Sequence, residues 1–269
     1  YPGQTIVMKV KLPESERRTI QGRLYVRDRN GDKYHYSDKM TIPPGQWAEM
    51  RYRIPAMANV CLLEAGVELI PEGGWGPLIV YIDDADFTGQ PDYSIDFAYE
   101  RLEKWHGTHI EVSQFTYLRG LWTLEEGQLS GSYYGEHAEC YTGDLRWRNY
   151  AFTAAVIPKS GSSHRIQFRV QGGIRSYAAG LADGNRLCLY KNNNGYQELA
   201  SVAFAWQTGQ EYRIGVKAVG NHFEISVNGE LKLSYVDQDN PYLYGMIGFS
   251  NSEGSHTHYS CFKLKGLDE

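Results

Sequence analysis

From His164 to Leu181 the chain reads HRIQFRVQGGIRSYAAGL, two arms of alternating apolar and polar residues around Gly172-Gly173. Alternation with a period of two is the mark of a half-buried strand, and a glycine pair between two such runs marks a β-hairpin. On the first arm Ile166, Phe168 and Val170 share one face, while Arg165, Gln167, Arg169 and Gln171 share the other. On the second arm the spacing predicts Arg175 and Tyr177 on one side and Ile174, Ser176 and Ala178 on the other. The polar face has two readings: a solvated surface whose arginines make weak ion pairs, or the floor of a groove for a polar ligand. In the second reading Arg169, Gln171, Arg175 and Tyr177 line the groove on a concave sheet with Gln167, and Glu139 stands across from them.

The same short-period patterning extends over the rest of the chain. Thr5 to Leu12, Ile20 to Val26 and Trp47 to Ile54 alternate, Asn30-Gly31 is a hairpin signal, and Pro43-Pro44-Gly45 is a turn. A Gly-Gly-Trp-Gly-Pro loop at 73–77 leads into Leu78 to Phe87, and no segment of this region keeps helical periodicity. Beyond Ile110 strands follow in rapid order, with turns at Asn193-Asn194-Gly195 and Asn228-Gly229. The expected fold class is therefore all-β, two β-sandwich (jelly-roll) domains in tandem. The expected boundaries are residues 1–90 for the first sandwich, 91–109 for a packed connector and 110–269 for the second sandwich.

Composition narrows the function classes. A net charge of -5 with no basic run argues against nucleic acid as a partner. No window has the ~18 consecutive apolar residues of a membrane span. The 21 tyrosines and six tryptophans suit strands and also suit surfaces that stack on sugars. Of Cys61, Cys140, Cys188 and Cys261 three fall in the second domain, each among strand residues, and an odd number there favours buried free thiols over a disulfide framework, with one bridge as the alternative; the lack of a CxxC argues against zinc.

Candidate chemistry is sparse. If Leu78, Val80 and Ile82 face inward, Asp84 follows them unless a bulge intervenes, and an inward carboxylate needs a cation or several donors. A structural calcium on Asp83 and Asp84 would satisfy it, as would solvent at the strand end or capping by backbone N–H groups. No other cofactor is implied. Glu125-Glu126, Asp83-Asp84 and Asp237 with Asp239 are paired carboxylates, but adjacent strand residues point apart, so none makes the facing acid and nucleophile of glycoside hydrolysis. Between Glu136 and Tyr141, Ala138 and Cys140 suit the core, which turns His137, Glu139 and Tyr141 to the polar face; Glu139 could accept sugar hydroxyls or pair with an arginine. His256-x-His258 has metal-like spacing, with no third ligand evident in the sequence.

Three resemblances bear on these readings. The turn at Pro2-Gly3 and the closing strand Tyr81-Ile82-Asp83-Asp84-Ala85 resemble carbohydrate-binding modules of the galactose-binding-like jelly roll, which implies one or two further N-terminal strands outside this chain. Trp122 with the Gly127-x-Leu129 turn, Trp147-x-Asn149-Tyr150, Trp206-x-x-Gly209-x-x-Tyr212, Asn228-Gly229 and Gly245-x-Ile247-Gly248 resemble the concanavalin A-like family, which includes laminin-G-type lectin modules and keto-disaccharide hydrolase-like domains. GEHAECYTGDLRWRNYAF at 135–152, with the hairpin, resembles the C-terminal ancillary region of some bacterial ADP-ribosylglycohydrolase proteins. The magnesium motifs of that enzyme's catalytic domain are absent, so no catalytic residue carries over. Together they imply a non-catalytic carbohydrate-binding tandem module accessory to a hydrolase whose N-terminal catalytic domain is missing from this chain. The alternatives are a scaffolding module without a small ligand and hydrolysis by the second domain. The compartment would be cytoplasmic under the ADP-ribosylglycohydrolase resemblance and extracellular for a glycan-degrading module.

Overall fold

A computed structural model describes residues 1–29, 33–74, 76–105, 109–112, 114–135, 137–252 and 254–267. The Asn30-Gly31 turn, Trp75 and Glu136 lie outside the described residues. Among the described residues the chain is all-β apart from a 3-10 turn at Phe97–Tyr99, and it divides into two compact units, Tyr1–Asp92 and Tyr93–Glu269.

In the first unit Thr5–Lys11 is flanked by Trp47–Arg53 and Tyr81–Thr88, all antiparallel. A second sheet sets Ile20–Asp28 beside Lys33–Tyr36, Met40–Thr41 and Leu62–Pro71. Strand alternation turns Ile6, Met8 and Val10 from one sheet, and Ile20, Leu24 and Val26 from the other, into one core with Ile42, Ala48, Met50 and Ile54. At about 1.5–3 kcal/mol per fully buried aliphatic side chain, this shared core is what holds the two small sheets together.

In the second unit a seven-stranded sheet runs, in spatial order, Thr116–Arg119, His137–Thr142, Met246–Ser252, His164–Gly172, Arg175–Ala182, Arg186–Asn193 and Tyr196–Ala203. The facing sheet contains Leu121–Glu125, Gln128–Ser132, His256–Gly266, Tyr150–Ser160, Tyr212–Val219, His222–Val227 and Glu230–Val236 in that order. Phe152, Phe249 and Phe262, all fully or almost fully buried, pack ring against ring between the sheets. Phe97 joins them from the 3-10 turn, where the Ala98 N–H donates to the capping Asp96 carboxylate at 2.9 Å. None of the four cysteines is in a disulfide: Cys61, Cys140 and Cys188 are buried, and Cys261 is half-buried.

The His164–Leu181 hairpin forms, with Ile166, Phe168 and Val170 in the core. Its register differs from simple alternation. Phe168 pairs with Tyr177 and Gly172 pairs with Arg175, so Arg169, Val170 and Gln171 stand opposite Ser176 alone. Arg169 absorbs this bulge with φ +51°, a left-handed conformation uncommon outside glycine and asparagine.

Candidate functional site

On the seven-stranded sheet, Cys140, Phe249, Ile166 and Ala179 form a transverse row that faces the core. The adjacent rows must face outward. One is Glu139, Ser250, Arg165, Gly180 and Cys188; the other is Tyr141, Gly248, Gln167, Ala178 and Tyr190. Glycine at 180 is required by strand contact, because a Cβ there would lie 2.1 Å from the His164 carbonyl oxygen. At 248 a Cβ would lie 2.3 Å from the Cys140 carbonyl oxygen and 3.2 Å from Gln167 Oε1. The middle of this face is thus a floor of small residues ringed by long polar ones.

The long side chains converge above that floor. Gln167 Nε2 donates to Glu139 Oε1 at 3.1 Å and to the Tyr196 hydroxyl at 2.6 Å, and the Tyr196 hydroxyl donates to Glu139 Oε1 at 2.8 Å. The Arg165 guanidinium lies 4.1 Å from the Tyr190 ring centre and 5.2 Å from that of Tyr196, within cation–π range. Burial raises the Glu139 pKa, and hydrogen bonds from Tyr196 and Gln167 with the charges of Arg119 and Arg165 offset only part of that. Five atoms of these two rows are buried without a hydrogen-bond partner among the described residues: Glu139 Oε2, Tyr141 OH, Arg165 Nε, Gln167 Oε1 and Ser250 Oγ. Native interiors pair nearly all such atoms, so a cluster of them on one sheet face is a place for a polar ligand or ordered water. Glu198, farther along the same face, is committed to Arg186 at 2.8 and 2.9 Å.

Glu139 and Gln167 therefore come together as the sequence suggests, but Arg169 and Tyr177 do not join them. Tyr177 pairs with the inward Phe168 and so points inward too, stacking on it at 5.3 Å between ring centres. The Arg169 side chain also turns inside, where its guanidinium donates to the carbonyls of Leu243, Ala218 and Gly220. Both residues are 0% exposed. Gln171 and Arg175 stay near the hairpin tip, the first donating to the Tyr244 carbonyl at 3.0 Å and the second lying over the Tyr242 ring. The expected four-residue groove is replaced by a cluster of Glu139, Gln167, Arg165, Tyr190 and Tyr196. Arg165 and Gln167 were legible from alternation. Tyr190 and Tyr196 were not, because they arrive from the neighbouring hairpin.

The calcium expectation depended on an inward Asp84, and here the bulge intervenes. The register of Tyr81–Thr88 slips opposite Val7 and Lys9, Asp84 takes φ +48°, and its exposed carboxylate pairs with Lys9. An ammonium already balances that charge, so no buried carboxylate there calls for a cation. The same sheet carries a feature not anticipated from the sequence. Trp47 and Tyr81 both stand opposite Lys11, which places all three on one face, with Pro13, Glu14 and Ser15 completing a cleft of about 550 Å³. Trp47 and Tyr81 are about half exposed, at 48% and 51%.

No family model matches this chain, and no curated protein matches it. Among solved structures, the carbohydrate-binding module CBM66 from Bacillus subtilis aligns with a TM-score of 0.50 and 15% identity, over 56% of this chain and 95% of that one. A Bacillus subtilis protein of unknown function with a galectin-like fold aligns at 0.47 and 16% identity, over 58% and 90%. The VIP36 exoplasmic/lumenal domain, in its Ca2+/Man3GlcNAc-bound form, aligns at 0.46 and 12%, over 59% and 86%. At such identities the likeness to CBM66 concerns the fold alone, a two-sheet β-sandwich.

Proposed function

We propose that this chain is a non-catalytic carbohydrate-binding module and that the outer face of the seven-stranded sheet holds the sugar. The observation that carries this reading is the set of unpartnered polar atoms around Glu139, Gln167 and Arg165. A carboxylate and an amide oxygen accept from vicinal hydroxyls, a guanidinium donates to them, and the half-buried rings of Tyr190 and Tyr196 offer apolar faces to a sugar's C–H side. The fold likeness to a carbohydrate-binding module supports the same class of ligand. The acidic net charge, -5, disfavours nucleic acid. An accessory role beside a hydrolase, such as an ADP-ribosylglycohydrolase, rests on the motif run at 135–152. Hydrolysis by this chain is disfavoured because Glu198, the other carboxylate described on that face, is committed to Arg186.

A glycan array on the whole chain, followed by calorimetric titration of the best ligand, tests the reading. Glu139→Gln is expected to weaken binding by about 1.5–3 kcal/mol, roughly ten- to hundredfold in Kd. Affinity should also fall on acidification at a higher pH than for an ordinary carboxylate, since burial raises the Glu139 pKa and protonation removes the acceptor. Unchanged affinity in Glu139→Gln would remove this face from the site. The second reading places the sugar on the Trp47–Lys11–Tyr81 cleft, whose exposed rings form a stacking platform. It predicts loss of binding in Trp47→Ala with Glu139→Gln unaffected. Turnover of a glycoside or ADP-ribosyl substrate, abolished by Glu139→Gln, would overturn the non-catalytic assignment.

A further inference from the structure

We propose that Glu125, His256 and His258 form a binding site for a divalent transition-metal ion of the zinc class. The three residues lie on the sheet opposite the candidate sugar face. Glu125 pairs with Gln128, Ser130 with His258, and Ser132 with His256, so all of these side chains share one face, while Leu129 and Tyr259 between them fill the core. One ligand atom from each of Glu125, His256 and His258 lies within 4.8 Å of the others. The sequence shows the two histidines at i and i+2. The third donor arrives only through the pairing of non-adjacent strands.

The hydrogen bonds around His258 define what it offers. The ring is 3% exposed, and Nδ1 lies 2.8 Å from Gln128 Oε1. An amide oxygen only accepts, so Nδ1 carries the ring proton and Nε2 of the neutral ring presents a lone pair. Nε2 is buried without a hydrogen-bond partner among the described residues and faces Glu125 Oε2 at 3.4 Å. A lone pair aimed at a carboxylate oxygen is repulsive unless a proton or a metal cation stands between them, and a metal uses both groups as ligands. Two ligand atoms about 2.1 Å from a tetrahedral ion are about 3.4 Å apart, which is the separation already present. His256 is oriented by Ser130, whose Oγ lies 2.9 Å from its Nε2. Glu125 is 47% exposed and free to swing inward, which closes the longer distances and leaves a fourth position to water.

Two imidazoles and one carboxylate suit Zn²⁺ or Co²⁺, whereas Ca²⁺ takes six to eight oxygens. Lys159 acts electrostatically on His258 and opposes a cation there. Being exposed, it can be removed without disturbing the core.

The test is titration of the metal-stripped whole chain with Zn²⁺ against a chromophoric chelator, and with Co²⁺ followed by visible absorption. The expected result is one Zn²⁺ per chain, tetrahedral cobalt bands, and a melting temperature raised by Zn²⁺ but not by Ca²⁺. Glu125→Gln and His256→Asn, both away from the buried core, should each weaken Zn²⁺ at least tenfold and remove the cobalt bands, and Lys159→Ala should tighten binding. No Zn²⁺ bound, or binding unchanged in both Glu125→Gln and His256→Asn, overturns the assignment. An equal response to Ca²⁺ overturns the metal class. None of these readouts depends on the sugar site.

Discussion

Replacing Arg169 with methionine is expected to destabilise the second unit by about 3–5 kcal/mol, among the largest effects of any single substitution in this chain. The guanidinium is fully buried, and it joins the Leu243 carbonyl to those of Ala218 and Gly220, the latter two at 3.3 Å. It thereby ties the segment leading into Met246–Ser252 to the end of Tyr212–Val219 in the facing sheet. Methionine fills much of the same volume but leaves those carbonyls without their donor, at about 1–3 kcal/mol for each that stays dry. Arg169→Lys keeps the charge but not the planar fork and should fall between. Urea unfolding followed by tryptophan fluorescence should show a lower midpoint at unchanged slope. Sugar affinity of the surviving folded fraction should be unaltered. A stability change below about 1 kcal/mol together with lost sugar binding would restore Arg169 to a ligand-facing role.

Breaking the Lys191–Asp237 pair should cost a comparable amount. Lys191 Nζ lies 2.8 Å from Asp237 Oδ2 and also donates to the carbonyls of Asp239 and Asn240, the latter at 3.1 Å. The Tyr177 hydroxyl donates to the same carboxylate and accepts from the Tyr242 amide at 3.1 Å. The two charged side chains are only 10% and 3% exposed, so removing one partner strands the other away from water. Lys191→Met or Asp237→Ala alone should each cost about 3–5 kcal/mol, and the double variant less than their sum. The pair also sets an acid limit. Burial pushes the Asp237 pKa up, but hydrogen bonds from Lys191 and Tyr177 outweigh it and hold the carboxyl below its ordinary value. A depressed folded pKa means stabilisation that is complete above the unfolded carboxyl range, near pH 4, and is lost as pH falls through the folded value. Wild type should therefore lose stability below about pH 4 more steeply than Asp237→Asn. Parallel acid profiles for the two would show that this carboxylate does not carry the acid sensitivity.

What the sequence by itself determined is the local pattern. Ile6, Met8 and Val10, and likewise Ile166, Phe168 and Val170, face the core because a strand turns alternate side chains to one side, and the same parity sends Glu139, Arg165 and Gln167 to the other face of the sheet, where they too are largely buried. Glycine and asparagine placed the turns at Asn194-Gly195 and Asn228-Gly229, where φ is positive. Parity holds only while the register is unbroken. Arg169 and Asp84 each take a left-handed φ at a bulge, and nothing in the flanking residues marks an arginine or an aspartate for that role. The bulge sends Arg169 inside, fixes the register that sends Tyr177 after it, and leaves Asp84 in solvent against Lys9. The partners that define the sites are likewise long-range: Tyr196 reaches Glu139, and Glu125 reaches His258. Those contacts exist because strands distant in sequence pair within the sheets, and side-chain periodicity along one strand carries no information about which strand will lie beside it.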